Sequence, residues 1–183
     1  MNKYILAFTM AFLLFGFKAK SQINSSAGLE IQAYPTGFLL GIGYDKNISE
    51  KGFLHLRAGV NIFDHRDLGK QDMEEGSGWG ATVGYRRFFN AEHRKWRAGI
   101  KLDTWFNNVE WSNDGNDPVT LPEGETDIIV LQPTAELAYV FNKNNIVFAP
   151  SISFGMEWNV KTDGEPTGEG PILLIGFQLA KVF

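Results

Sequence analysis

The stretch Leu173-Leu174-Ile175-Gly176-Phe177-Gln178-Leu179-Ala180-Lys181-Val182-Phe183 decides how the rest of the chain is read. Leu173, Ile175, Phe177 and Leu179 alternate with Leu174, Gly176, Gln178 and Ala180. Successive side chains of a β-strand point to opposite faces, so this stretch reads as a strand with one bulky apolar face. Working back toward the start, the same period of two recurs. The pattern predicts eight strands, at 27–34, 38–48, 53–63, 79–89, 96–111, 127–141, 146–161 and 171–183.

The connections alternate in length. Ser49–Gly52, Asn90–Lys95 and Asn142–Asn145 are short; Asp64–Gly78, Ser112–Thr126 and Thr162–Gly170 are long. Pro35-Thr36-Gly37 is the one short member of the long set. Short turns on one rim and long loops on the other are the arrangement of an up-and-down barrel crossing a membrane. The faces sort by size. Trp79, Trp96, Phe148, Phe154, Trp158 and Phe177 share the apolar face, whereas Gly41, Gly43, Gly59, Gly84, Gly99, Gly155 and Gly176 share the polar one. The interior of an eight-stranded barrel is only wide enough for side chains. Small residues inside leave room for long charged ones, and large apolar residues outside suit lipid. Hydrocarbon offers no hydrogen bonds to an open sheet edge, so such a sheet must close.

A last strand of alternating faces ending on Phe183 resembles the closing strand of small outer-membrane barrels of the OmpA/OmpX kind. The resemblance covers the chain after its leader and rests on architecture, not on a family motif. It implies an all-β, eight-stranded antiparallel up-and-down transmembrane barrel. It also implies that the terminal Phe183 is read by the barrel-assembly machinery, and that the partners include outer-membrane lipid and lipopolysaccharide. Tyr44, Tyr85, Phe89, Trp96, Tyr139, Phe141 and Phe183 gather at the short-turn rim as an aromatic girdle would. The apolar-face charges Lys46, Arg87 and Lys181 lie at that same end, where long stems can snorkel.

The start of the chain agrees with export. Lys3 precedes the uncharged run Tyr4–Phe17, of 14 residues, and Ala19-Lys20-Ser21 follows with small residues at the cleavage positions. That run falls short of the roughly 20 residues a spanning helix needs. Residues 1–21 are therefore expected to be a signal peptide cut before Gln22, leaving 22–183 as one barrel domain in the outer membrane of a Gram-negative cell envelope. With 17 basic residues, three of them in the leader, and 21 acids, none there, the remainder carries 14 against 21, or −7. No cysteine is present, which excludes a disulfide framework and a lipid anchor on Cys. No basic stripe or recognition motif invites nucleic acid. Gly41-Ile42-Gly43 lies inside a strand, not in a nucleotide loop, and no zinc or dinucleotide pattern occurs, so no cofactor is expected.

The inward set contains Glu30, Asp45, Asp103, Glu136 and Glu157 against Arg57, Arg86, Arg97 and Lys101. Charges in a narrow, low-dielectric interior need partners. The expectation is a structural salt-bridge network plugging the lumen of a monomer. The long loops are acidic, with Asp64, Asp67, Asp72, Glu74, Glu75, Asp114, Asp117, Glu123, Glu125, Asp163, Glu165 and Glu169. They read as solvated loops, with divalent cations as the alternative. Strands five to seven are longer than a crossing requires, so sheet is expected to protrude on the long-loop side. Pro133 and Pro150 interrupt two strands, which points to local bulges or to a lateral opening of the kind the lipid A palmitoyltransferase family uses. His55, His65 and His93 stand on separate elements. A hydrolytic site from Asp64, His65 and Ser77 would make the chain a lipid-modifying enzyme. An apolar lumen would instead make it a soluble, lipocalin-like carrier. The reading favoured by the residues is a non-enzymatic structural or surface-interaction barrel.

Overall fold

The computed structural model describes residues 25–66, 72–113 and 123–183, with no account of the side chains of residues 65 and 66. The expected signal peptide lies outside the described residues. Nine strand segments form one antiparallel sheet: β1 (Ser25–Tyr34), β2 (Gly37–Asn47), β3 (Gly52–Arg66), β4 (Glu74–Phe88), β5 (Trp96–Ser112), β6 (Glu123–Tyr139), β7 (Phe141–Lys143), β8 (Ile146–Asp163) and β9 (Gly170–Val182). β7 continues β6 beyond Val140 and keeps its register against β8, so the wall has eight barrel strands. Each strand pairs with the next in sequence, and β1 pairs with β9, with Glu30 opposite Gln178. The sheet is therefore a closed up-and-down barrel without a free edge.

Parity sets the two faces. Phe38, Ile42, Trp79, Ile100, Phe154 and Ile175 stand exposed on the outer wall. A soluble barrel would hide such residues, and a wall in lipid has no reason to. At the short-turn end, Trp96 meets Tyr139 at 5.0 Å between ring centres, Tyr139 meets Phe141 at 4.8 Å, and Phe141 meets Phe148 at 6.1 Å.

Strand boundaries differ from the sequence reading, most at two starts. β4 begins at Glu74 and β6 at Glu123, so Glu74, Glu75, Glu123 and Glu125 belong to strands rather than loops. β5, β6 and β8 run to 17, 17 and 18 residues, longer than the roughly 9–11 needed to cross. The prolines do not sit at bulges. Leu131 pairs with Trp158 and Thr134 with Gly155 in one unbroken register, yet Gln132 and Pro133 make no pair with β8. Ala138 pairs with Ser151 and Phe141 with Phe148, with a second gap at Tyr139 and Val140, facing Pro150. On their other sides, Pro133 opposes Leu102 and Pro150 opposes Phe177 in continuous ladders. Both missing N–H donors therefore fall on the β6–β8 seam. The bulge on this seam is elsewhere, at Val160, between the pairs Ile129–Lys161 and Val130–Asn159.

Candidate functional site

The lumen is solid and built in layers. Its middle is an ionic belt supplied by seven strands. Glu30 comes from β1, Asp45 from β2, His55 and Arg57 from β3, Arg86 from β4, Arg97, Lys101 and Asp103 from β5, Glu136 from β6 and Gln178 from β9. Inward parity places each side chain, and glycines on adjacent strands make room for the long stems. A Cβ on Gly99 would lie 3.0 Å from Arg86 Cγ, and one on Gly84 would lie 3.0 Å from Lys101 Cγ. Gly41 serves the Arg57 stem in the same way, at 2.9 Å from its Cγ.

Arg86 is the hub. Its Nη2 donates to Glu30 Oε2 at 2.9 Å and to Glu136 Oε2 at 3.0 Å, while Nη1 donates to Asp45 Oδ1 at 3.1 Å. Arg57 donates from Nη1 to Glu30 Oε1 at 3.1 Å and to Gln32 Oε1 at 2.6 Å, from Nη2 to Asp103 Oδ1 at 2.6 Å, and from Nε to Thr82 Oγ1 at 2.9 Å. The Thr82 hydroxyl itself donates to Asp103. Lys101 Nζ lies 3.0 Å from Glu136 Oε2 and 3.8 Å from Glu30 Oε1. Arg97 sits nearest the short-turn end, 3.5 Å from Glu136 Oε1, and it donates to Gln178 Oε1 at 3.2 Å. Gln178 in turn donates to Asp45 Oδ2 at 2.7 Å. His55 is enclosed, with Nδ1 2.9 Å from Asp45 and 2.7 Å from Arg86, and Nε2 3.6 Å from Glu30.

The belt thus joins the four carboxylates of Glu30, Asp45, Asp103 and Glu136 to the four cations of Arg57, Arg86, Arg97 and Lys101, and their formal charges cancel. Glu157 is buried but stands apart. It lies two inward positions along β8 from Ser153, the partner of Glu136, and opposite Gly170 near the outer mouth. His55, Gln32, Thr82 and Gln178 are members that a search for charged residues misses. Their inward parity within charged strands was the available signal.

The lumen is not polar throughout, and here the structure corrects the two-faced reading. Toward the long-loop end, Leu39, Phe63, Trp105, Val109, Ile128, Val130, Ile172 and Leu174 point inward as one apolar cluster. Toward the short-turn end, Phe88, Val140, Val147, Ala149 and Ala180 form a second. The belt is therefore flanked by apolar layers on both sides, and at the short-turn end a cavity of about 120 Å³ among Phe53, Phe88, Val140 and Val147 reaches Asp45 and Arg97. Arg57 links the layers, its guanidinium lying 5.6 Å from the centre of the Trp105 ring.

At the outer mouth the connection between β8 and β9 folds back onto the strand ends and is not a free solvated loop. Thr167 and Gly168 are buried, and Gly168 N donates to Glu74 Oε1 at 2.8 Å. Asn159 Nδ2 donates to Thr167 Oγ1 at 3.1 Å, and Thr126 Oγ1 donates to the Glu165 carbonyl at 3.0 Å. Of the sequence candidates for hydrolysis, Ser77 is an exposed residue within β4, opposite Ile62, and Asp64 is exposed on β3. The His65 side chain lies outside the described residues, and His93 is in an exposed turn. Pro150 sits near the opposite rim, so these groups and the prolines are scattered. Among the described residues, no cluster of His, Cys, Asp and Glu is arranged to hold a metal ion.

No protein-family model matches the sequence, and no curated protein matches it. Solved structures do match in fold. The N-terminal β-barrel domain of OprF from Pseudomonas aeruginosa superposes with a TM-score of 0.52 at 13% identity, over 87% of this chain and 97% of that one. Ail, the attachment invasion locus protein of Yersinia pestis, superposes with a TM-score of 0.50 at 10% identity, over 86% of this chain and 95% of that one. At these identities the likeness speaks for the fold alone.

Proposed function

We propose, from a closed eight-stranded barrel with the fold of the small outer-membrane barrels, that this chain is an integral outer-membrane protein with a structural or surface-interaction role. The observation that carries the reading is the inversion of the wall: bulky apolar residues face out, while a charge-balanced belt fills the inside. The belt with its apolar layers acts as a structural plug. It holds the strands at fixed spacing and fills most of the lumen. The acidic strand ends beyond the lipid, with Glu75, Glu110 and Glu125 directly opposite one another on β4, β5 and β6, present a surface outside the cell. Lipid and lipopolysaccharide surround the wall. In this reading the chain is exported by a cleaved leader, assembled through its Phe183 strand, and works as a monomer.

The soluble-carrier reading needs an empty apolar lumen, and the charged belt and side-chain layers occupy that space. The lipid-modifying reading needs a convergent catalytic group, which Ser77 and Asp64 on the outside of separate strands do not supply. The test is gel mobility of the outer-membrane fraction, boiled against unboiled. A heat-dependent shift in that fraction is expected; recovery in the soluble fraction without a shift would overturn the proposal.

A further inference from the structure

The strand register places a row of cations on the outer wall at the short-turn end. Lys181 on β9 lies opposite Ala27 on β1, and Ala27 lies opposite Tyr44 on β2. Lys46 is the next outward position on β2 and faces Leu54 on β3. Leu54 faces Tyr85 on β4, and Arg87, the next outward position there, faces Gly52. Cations therefore stand on every second strand, with small or aliphatic residues between them. At a strand spacing of about 4.8 Å, the arc from β9 to β4 is roughly 19 Å wide. On the other side of Lys181, Ile146 on β8 faces it and Lys143 on β7 faces Ile146, beside the aromatic series Trp96, Tyr139, Phe141 and Phe148.

Lys46, Arg87 and Lys181 are all exposed, and none joins an ion pair among the described residues. The outward-facing acids of the described strands, such as Glu75, Glu110, Glu125 and Asp163, all lie toward the other end. Glu50 and Glu92 are in the turns beyond the wall. The aliphatic stems can lie on apolar wall while the charges sit at headgroup depth. Tyr44 and Tyr85 stand beside them, as interfacial aromatics do. Unpaired cations at that depth meet whatever anions the leaflet supplies.

We propose that the Lys181–Lys46–Arg87 arc is a binding surface for anionic phospholipid headgroups of the phosphatidylglycerol type, in the leaflet that the short turns face. The assignment rests on the barrel reading above, with the short turns on the periplasmic side.

The test uses the full chain folded into phosphatidylcholine vesicles containing a minor fraction of spin-labelled phosphatidylglycerol, with labelled phosphatidylcholine as reference. The heat-dependent gel shift is checked first for every sample. Absence of a shift in the parent chain overturns the barrel reading itself; a shift without lipid preference overturns only this inference. The parent chain is expected to prefer phosphatidylglycerol at its surface. The preference should fall by up to about fivefold per cation removed in the Lys46→Gln, Arg87→Gln and Lys181→Gln series at low salt, and shrink as salt rises. Lys46→Arg should retain it, and so should Lys51→Gln with Lys95→Gln in the turns. Retention in the triple variant, loss in the turn variants, or a stronger preference for lipid A phosphates would each overturn the assignment. If the triple variant does not fold, the single variants give the same reading.

Discussion

The ionic belt and the apolar layer above it are two cores stacked inside one wall, and they are held by different physics. In the belt, Arg86 alone ties Glu30, Asp45 and Glu136, each through an oriented hydrogen bond. In the apolar layer, Trp105, Val130 and Leu174 are as deeply buried, but their contacts are non-directional. A belt member removed leaves its partners charged and dry. A layer member removed leaves a cavity. The difference teaches that the belt is the brittle part of this barrel: its energy lies in completeness, whereas that of the layer lies in volume.

The largest expected effect comes from breaking the belt at its hub. Arg86→Leu should lower unfolding stability by about 3–5 kcal/mol, because three carboxylates lose their shared cation. Urea unfolding of the lipid-refolded barrel measures it. Adding Glu136→Leu should recover part of the loss, since contacting residues are not additive. The apolar layer is probed by Leu174→Ala, with a loss of about 2–5 kcal/mol that depends on how far the site collapses. No second substitution that alters charge should rescue it, which separates the two cores in the same assay. Next in size is Gly99→Val, which pushes on the Arg86 stem from the adjacent strand and should cost about 1–3 kcal/mol. Smallest is Pro150→Ala, within about 1 kcal/mol. It returns a donor to the β6–β8 seam, so hydrogen exchange at Tyr139 and Val140 should slow while the β4–β5 ladder is unchanged.

Much of this comparison was legible from the chain. Strict alternation of large apolar and charged or glycine positions, as in Ala98-Gly99-Ile100-Lys101-Leu102-Asp103, fixes both the faces and the belt. The apolar layer was written just as openly, in runs where both parities are apolar: Ile128-Ile129-Val130-Leu131 and Ile172-Leu173-Leu174-Ile175. In these runs one parity stands on the outer wall and the other packs in the lumen, so they mark where the lumen turns from polar to apolar. The docking of the β8–β9 connection was not legible. It depends on Gly168 meeting Glu74, which is 94 positions away in sequence. The shared seam of the two prolines was also hidden. Which neighbour a strand N–H faces depends on the register of the closed sheet, and composition does not report it. Glu157 shows the limit of parity: it gives the face correctly but not the depth, and depth decides which charges meet.

The barrel proposed here has a lumen filled with side chains rather than an open pore. Planar-bilayer recording of the purified, heat-shift-competent protein tests it most directly. A silent membrane is expected, with no unitary conductance steps across a range of voltages and salt. Sustained openings of uniform size would mean that a continuous water path passes the belt and both apolar layers, and would contradict the filled lumen.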